Sequence, residues 1–387
     1  MLTANQDTLH FSFPEVHPDA QVTIEFQRTL RIPDDDKNYP LPPGLGRFPI
    51  KQIDDHADRV PADWQKRGGV MLPMYQSEAL WVRFTPNHVA RRVGISQYPF
   101  AIRIAAGKRS AVTGDEWTKK IKEKDYVTVP KQKWIDGFVV EKGLVKQFVA
   151  MPLGHGFTAE EQLTGKAEFG GIQIEVLPMK RKVFDRRFPE RPRDVRTKGG
   201  ILRGRRFRSK GPGGSSTNYS ADSIQTISET LARADSRSIE CCAVVADMGL
   251  GAGGSMKQEI HEDPYGIEDW KKKGLTGTRC FIHLANSIAW KAITTQDPPH
   301  TAPTAAEYTQ HGYPWFTHYE DNGWKTAMKG TKKLKGLKSV LELGFQKGVG
   351  LAENESCKPK HVVQTGPNKK PDKKAKKGQV RDGSWAQ

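Results

Sequence analysis

The strongest constraint on what this chain can fold into is a repeat of two. Apolar residues alternate with polar ones at 21–26 (Val22, Ile24, Phe26), 79–84 (Leu80, Val82, Phe84), 100–104 (Phe100, Ile102, Ile104) and 171–176 (Ile172, Ile174, Val176). Successive side chains of a strand point to opposite faces, so this alternation predicts half-buried β-strands. Lys142-Gly143 separates apolar runs at 138–141 and 144–150 and reads as a hairpin turn, Gly supplying the positive φ. Further short strands are expected at 70–74 and 126–129. Turn spacing then predicts an antiparallel β-rich domain, sandwich or barrel-like, over residues 1–178. A proline-rich loop runs from Tyr39 to Gly46, and Thr158 with Glu161 fits a capping box that opens a short helix.

The 387 residues carry a formal charge of +17, and its location matters more than its size. Between Lys180 and Lys210 fourteen Lys and Arg face three acids, and from Lys358 to Gln387 nine face two. These two stretches hold the whole excess, which leaves the rest of the chain close to neutral. The first runs into a Gly/Ser-rich segment at 211–216 and reads as a disordered basic linker, 179–219. The second, 358–387, reads as a Lys/Pro-rich disordered tail. Either stretch suits phosphate neutralisation on RNA, DNA or an anionic membrane surface, through Arg203, Arg205, Arg206 and Arg208 in the linker and Lys369, Lys370, Lys373 and Lys374 in the tail, or else serves as a solubilising linker and tail with only nonspecific polyanion affinity.

Between them, 220–357 reads as a mixed α+β domain, so the fold class expected for the chain is α+β. A helix is expected at 221–234, a buried strand at 240–247 and a helix or a strand-to-helix junction around Trp290. Thr304 with Glu307 gives a second capping box, and Leu334, Leu337, Val340, Leu341 and Leu343 form an amphipathic helix. The four cysteines are too few for a disulfide framework, and no apolar run approaches the ~20 residues that span a bilayer. The expectation is a soluble, intracellular protein, cytoplasmic, or nuclear in a eukaryote.

Three constellations bear on chemistry. Gly249, Gly251 and Gly254 satisfy G-x-G-x-x-G after a strand, but Pro264 and Gly266 interrupt the helix that a nucleotide site requires. A glycine hairpin or flexible flap is the simpler reading. His261 lies just beyond it, beside Glu262 and Asp263, whose side chains alternate in direction along an extended segment. Cys280 and His283 fit one helix face, where an imidazole lowers a thiol pKa, or else a plain core cysteine. The aromatic run around Tyr313, Trp315 and His318 offers rings for stacking on a ligand, or anchors a loop into the core.

The phrases FQRTLRIPDD (26–35), YPLPPGLGRFP (39–49), MLPMYQSEALW (71–81), YPFAIRIAAGK (98–108), DPYGIEDW (263–270) and PTAAEY (303–308) resemble those of a broad group of uncharacterised microbial proteins with no established activity. The resemblance covers both globular parts and skips linker and tail. It implies no activity, cofactor or catalytic residue and supports only the domain boundaries.

The sequence thus leads to a non-catalytic binding or scaffold protein whose basic segments contact a polyanion. Its rivals are an enzyme with a ligand at Gly249–Gly254 near His261, and a protein-partner module that uses the amphipathic helix. No catalytic residue, metal ligand or cofactor is assigned.

Overall fold

The alternating segments form strands in the computed structural model, which describes residues 1–191, 247–270, 277–318, 326–349 and 356–365. Strands β1 (Leu2–Asn5), β2 (Thr8–Ser12) and β3 (Gln21–Thr29) form an antiparallel meander. Short strands β4 (Asn38–Tyr39), β5 (Gly44–Arg47) and β6 (Lys51–Gln52) lie in and after the proline-rich excursion. Then come β7 (Val70–Pro73), β8 (Ala79–Pro86), β9 (Phe100–Ala106), β10 (Arg109–Ser110), β11 (Val127–Val129) and β12 (Trp134–Ile135). The hairpin around Lys142-Gly143 is present as β13 (Gly137–Glu141) and β14 (Leu144–Pro152). The main sheet is completed by β15 (Ile172–Pro178), β16 (Asp247–Lys257) and β17 (Thr278–Ala285).

Pairing runs β3–β8–β14–β16–β17–β15–β9, antiparallel at each step. Two parallel pairs, β4 with β16 and β7 with β17, are added at its flank. The sheet is large, and among the described residues it does not close on itself. Alternation sets the burial: Val22, Ile24, Phe26, Leu80, Val82, Ile102, Ile104, Ile172, Ile174 and Val176 all enter one hydrophobic cluster.

The chain's two halves share that sheet. Among the described residues, those up to 190 and those from 247 onward belong to one unit, because β16 and β17 lie against β14 and β15 rather than in a sheet of their own. The boundary expected at 178 also moves. Arg181–Arg187 is a helix within the expected linker; its Phe184 is fully buried, and Arg187 bonds Asp269. An apolar residue in an Arg-rich run was enough to hold that stretch on the body. The expected tail likewise begins with a strand, β19 (Val362–Thr365), which pairs in parallel with β18 (Trp315–His318).

Both capping boxes are present, Thr158 with Glu161 and Thr304 with Glu307, and the junction at Trp290 is β17 followed by the helix Ser287–Thr294. The amphipathic helix is broken in two, Lys332–Lys335 and Val340–Lys347, with Ser339 capping the second. Leu334, Leu337, Val340 and Leu343 are already buried in the body. The helix expected at 221–234, Cys241 and Cys242 lie outside the described residues. Among the described residues no helix is long and apolar enough to cross a membrane.

The glycine-rich segment is neither hairpin nor flap. Gly249, Gly251 and Gly254 sit inside the eleven-residue strand β16. A Cβ on Gly251 would lie 2.6 Å from Val340 Cγ1 and 2.9 Å from the Phe157 carbonyl oxygen, so glycine is there to let the helix Val340–Lys347 and residue 157 approach the sheet. Gly251→Ala is expected to destabilise the fold by about 1–3 kcal/mol, the usual cost of overpacking, in thermal or chemical denaturation.

Candidate anion-binding cleft

The even positions of β9, β15 and β17 point into the core, so their odd positions make a second face. In register across it lie Arg103, Glu175 and Arg279, and one row on, Ala105, Gln173 and Phe281. This polar face is what the period of two leaves over, and it floors a cleft of about 430 Å³.

The floor is set by a buried guanidinium. Arg103 is 1% exposed, and its two terminal nitrogens reach Glu175 Oε2 at 2.6 Å, Asp125 Oδ2 at 2.9 Å and the Thr118 carbonyl at 3.0 Å. Glu175 passes its other oxygen to Arg279 Nε at 2.9 Å. Trp117 stacks on Arg103, 4.2 Å from ring centroid to guanidinium carbon. Two carboxylates thus balance two guanidinia, and the loop after β10 is fastened over the sheet face.

The rim is cationic. Arg67 ends the helix Ala62–Arg67; its guanidinium donates to the carbonyls of Phe169 and Glu168, both at 3.0 Å, and lies 5.4 Å from the rings of both Phe169 and Phe281. Lys108 Nζ sits 5.0 Å from the Phe169 ring, with its nearest carboxylate, Glu116, at 4.0 Å. Lys119 is exposed and makes no ion pair among the described residues. Buried Glu160 holds this rim in place, accepting from the backbone N–H groups of Phe169, Gly170 and Lys108. Burial pushes its carboxyl pKa up, against those hydrogen bonds. Glu160 stands in the first turn of the helix opened by the Thr158 capping box.

Chemically the cleft offers positive charge beside half-buried rings. It offers no activated nucleophile: the Cys280 thiol is pushed up to about 12 by burial. Cys280 and His283 are three apart on a strand, hence on opposite faces, which overturns the expected helical pair. Burial pulls His283 down to about 3, and its neutral ring stacks between Trp64 at 4.6 Å and Phe281 at 4.5 Å.

The residues singled out from sequence are scattered elsewhere. Gly249, Gly251 and Gly254 are packed in β16. His261 is 4% exposed, its backbone N–H on Gln132 Oε1 and its Nδ1 3.5 Å from Glu259. Asp263 accepts from Tyr126, Trp270, Tyr265 and Gly266, so it is a knot of the fold. Trp315 is fully buried against Tyr39 and Tyr308, whereas Tyr313 is 54% exposed beside Tyr308 and His311. His318 ends β18, and its side chain lies outside the described positions, as do Arg203, Arg205, Arg206, Arg208, Lys369, Lys370, Lys373 and Lys374. The cleft itself was missed. Its one trace in the sequence is a charged or polar residue at some odd positions of otherwise apolar strands: Arg103, Gln173, Glu175 and Arg279.

Compared with protein-family models, curated proteins and solved structures, the chain has no significant match.

Removing Arg103 strands Asp125 and Glu175 in the interior, so Arg103→Ala is expected to cost about 3–5 kcal/mol in denaturant titration. A separate expectation concerns Asp136, buried behind β13 and bonded by Gln258 Nε2 at 2.5 Å. Burial raises its pKa to about 7. The folded state therefore holds this proton more tightly than the unfolded chain, and the stability it contributes is present at acid pH and lost as pH rises toward 7. Asp136→Asn should remove that loss, gaining on the order of 1–3 kcal/mol over wild type between pH 5 and pH 8.

Proposed function

We propose that the protein is a binding protein for anionic ligands, with recognition seated in the cleft over β9, β15 and β17. One observation carries the reading. Arg67 lies against the half-buried rings of Phe169 and Phe281, Lys108 lies against Phe169 and Lys119 lines the same cleft, and among the described residues the one ion pair that any of the three makes is Lys108 with Glu116 at 4.0 Å. Cations on a low-dielectric wall concentrate counter-ions and attract them more strongly than cations in open water. A volume of about 430 Å³ falls in the range of small-ligand sites, and aromatic walls with a few placed polar groups are their usual lining.

The basic stretches at 180–210 and 358–387 fit the same reading. They supply salt-sensitive, sequence-independent affinity for a polyanion, and the cleft supplies the specific contact. RNA or DNA is the polyanion that this arrangement suits.

Isothermal titration of the full chain with pyrophosphate at low salt tests the cleft. Wild type is expected to bind, and Lys119→Glu, a surface change, to weaken binding about tenfold by placing a like charge at the rim. Raising the salt should weaken both, the wild type more steeply. Equal affinities for wild type and Lys119→Glu would remove the cleft from the proposal. Deleting 358–387 should lower retention of single-stranded nucleic acid in a gel-shift titration, and unchanged retention would remove the tail.

A further inference from the structure

We infer that the anion the cleft takes is a nucleoside phosphate. This rests on the anion-binding reading above and adds what the uncharged part of the ligand must be. Phe281 on β17 and Gln173 on β15 are direct cross-strand partners, so ring and carboxamide stand side by side on the cleft floor. Gln173 Nε2 donates to the Gly107 carbonyl at 2.8 Å, which fixes the amide plane and leaves Oε1 to accept from a ligand. A planar base stacked on the Arg67 guanidinium, which lies over the Phe281 ring, reaches that oxygen with an edge, and an exocyclic amino group or ring N–H would donate to it.

The stacking surface is built to stay in place. Phe281 is backed by His283 and that ring by Trp64, a run of three aromatic planes. Arg67 lies over Phe281 and Phe169 alike and is tethered by two carbonyls, so its guanidinium, rather than the ring it covers, is the stacking element for a base. The phosphate then falls to Lys108 and Lys119 on the rim, because Arg279 is already paired with Glu175. An inorganic anion would use only those cations, and an aliphatic acid would leave both the rings and the amide without work.

The test titrates the full chain, at one low salt concentration, with AMP, ribose 5-phosphate, pyrophosphate and a short oligoadenylate. Base stacking contributes about 1–3 kcal/mol, so AMP is expected to bind at least fivefold more tightly than ribose 5-phosphate. Gln173→Leu should weaken AMP about two- to tenfold and leave pyrophosphate unchanged, whereas Lys119→Glu should weaken all four. The wild-type ratio is read first, so the decision does not depend on how a variant folds. Equal binding of AMP and ribose 5-phosphate would overturn the nucleoside assignment while the anion cleft stands. No binding of any of the four would overturn both. Tighter binding of the oligoadenylate than of AMP, weakened by Gln173→Leu in the same proportion as AMP, would identify a single strand as the source of the nucleotide, and oligoadenylate binding that Gln173→Leu leaves unchanged would assign the cleft a free nucleotide.

Discussion

A guanidinium with almost no exposed surface, Arg103, organises everything around the cleft. Taking such a charge out of water costs several kcal/mol, and only close, well-aligned carboxylates return it. Asp125 and Glu175 do so from two directions, one from a loop and one from the neighbouring strand. The three groups therefore have to stay together, and what they join is the sheet face and the segment that passes over it. Trp117 on the Arg103 plane and the Thr118 carbonyl on its terminal nitrogen belong to that same segment. Arg279 is drawn onto Glu175 by the charge left on its second oxygen, so one of the rim cations is placed by the buried network itself.

The rest of the rim is fixed by a different kind of bond. Arg67 and Glu160 both spend their charge on backbone groups of the same short stretch, Arg67 on the carbonyls of Glu168 and Phe169 and Glu160 on the N–H groups of Phe169 and Gly170. A cation that bonds carbonyls keeps its positive charge, whereas one paired with a carboxylate is neutralised. Arg67 is thus immobilised and still attractive to an anion. Gly107 serves the same contact, since a Cβ there would overlap the Glu160 carboxylate.

Much of the sheet was legible because alternation is a local property. Val22, Ile24 and Phe26, or Ile172, Ile174 and Val176, declare their face from the sequence alone, and Thr158 and Thr304 declare a helix start from three residues on. Long-range facts were not legible in this way. Nothing near Gly251 announces that Val340 will press against it, so a glycine run that serves close packing reads like a hairpin or a phosphate loop. Residues 179–246 separate β15 from β16, and the basic, Gly/Ser-rich composition at their start reads as a linker between two domains, although antiparallel pairing needs no chain continuity. Leu334 to Leu343 have helical spacing, yet Gly336 and the Ser339 cap divide them, since a capping side chain can start a helix anew within an apolar stripe.

The same distinction explains how the charge was misjudged. Summing Lys, Arg, Asp and Glu along the chain shows a nearly neutral body, and neutrality of a sum says nothing about distribution in space. Arg67, Lys108, Lys119 and Arg279 come from a helix end, a turn, a loop and a strand. Folding gives the nearby carboxylates other work: Glu160 to backbone amides, Glu175 and Asp125 to Arg103, Asp247 to the Trp64 indole. The positive cleft is what remains after the carboxylates have been used inside the structure, and a binding site made by such subtraction has no motif to find.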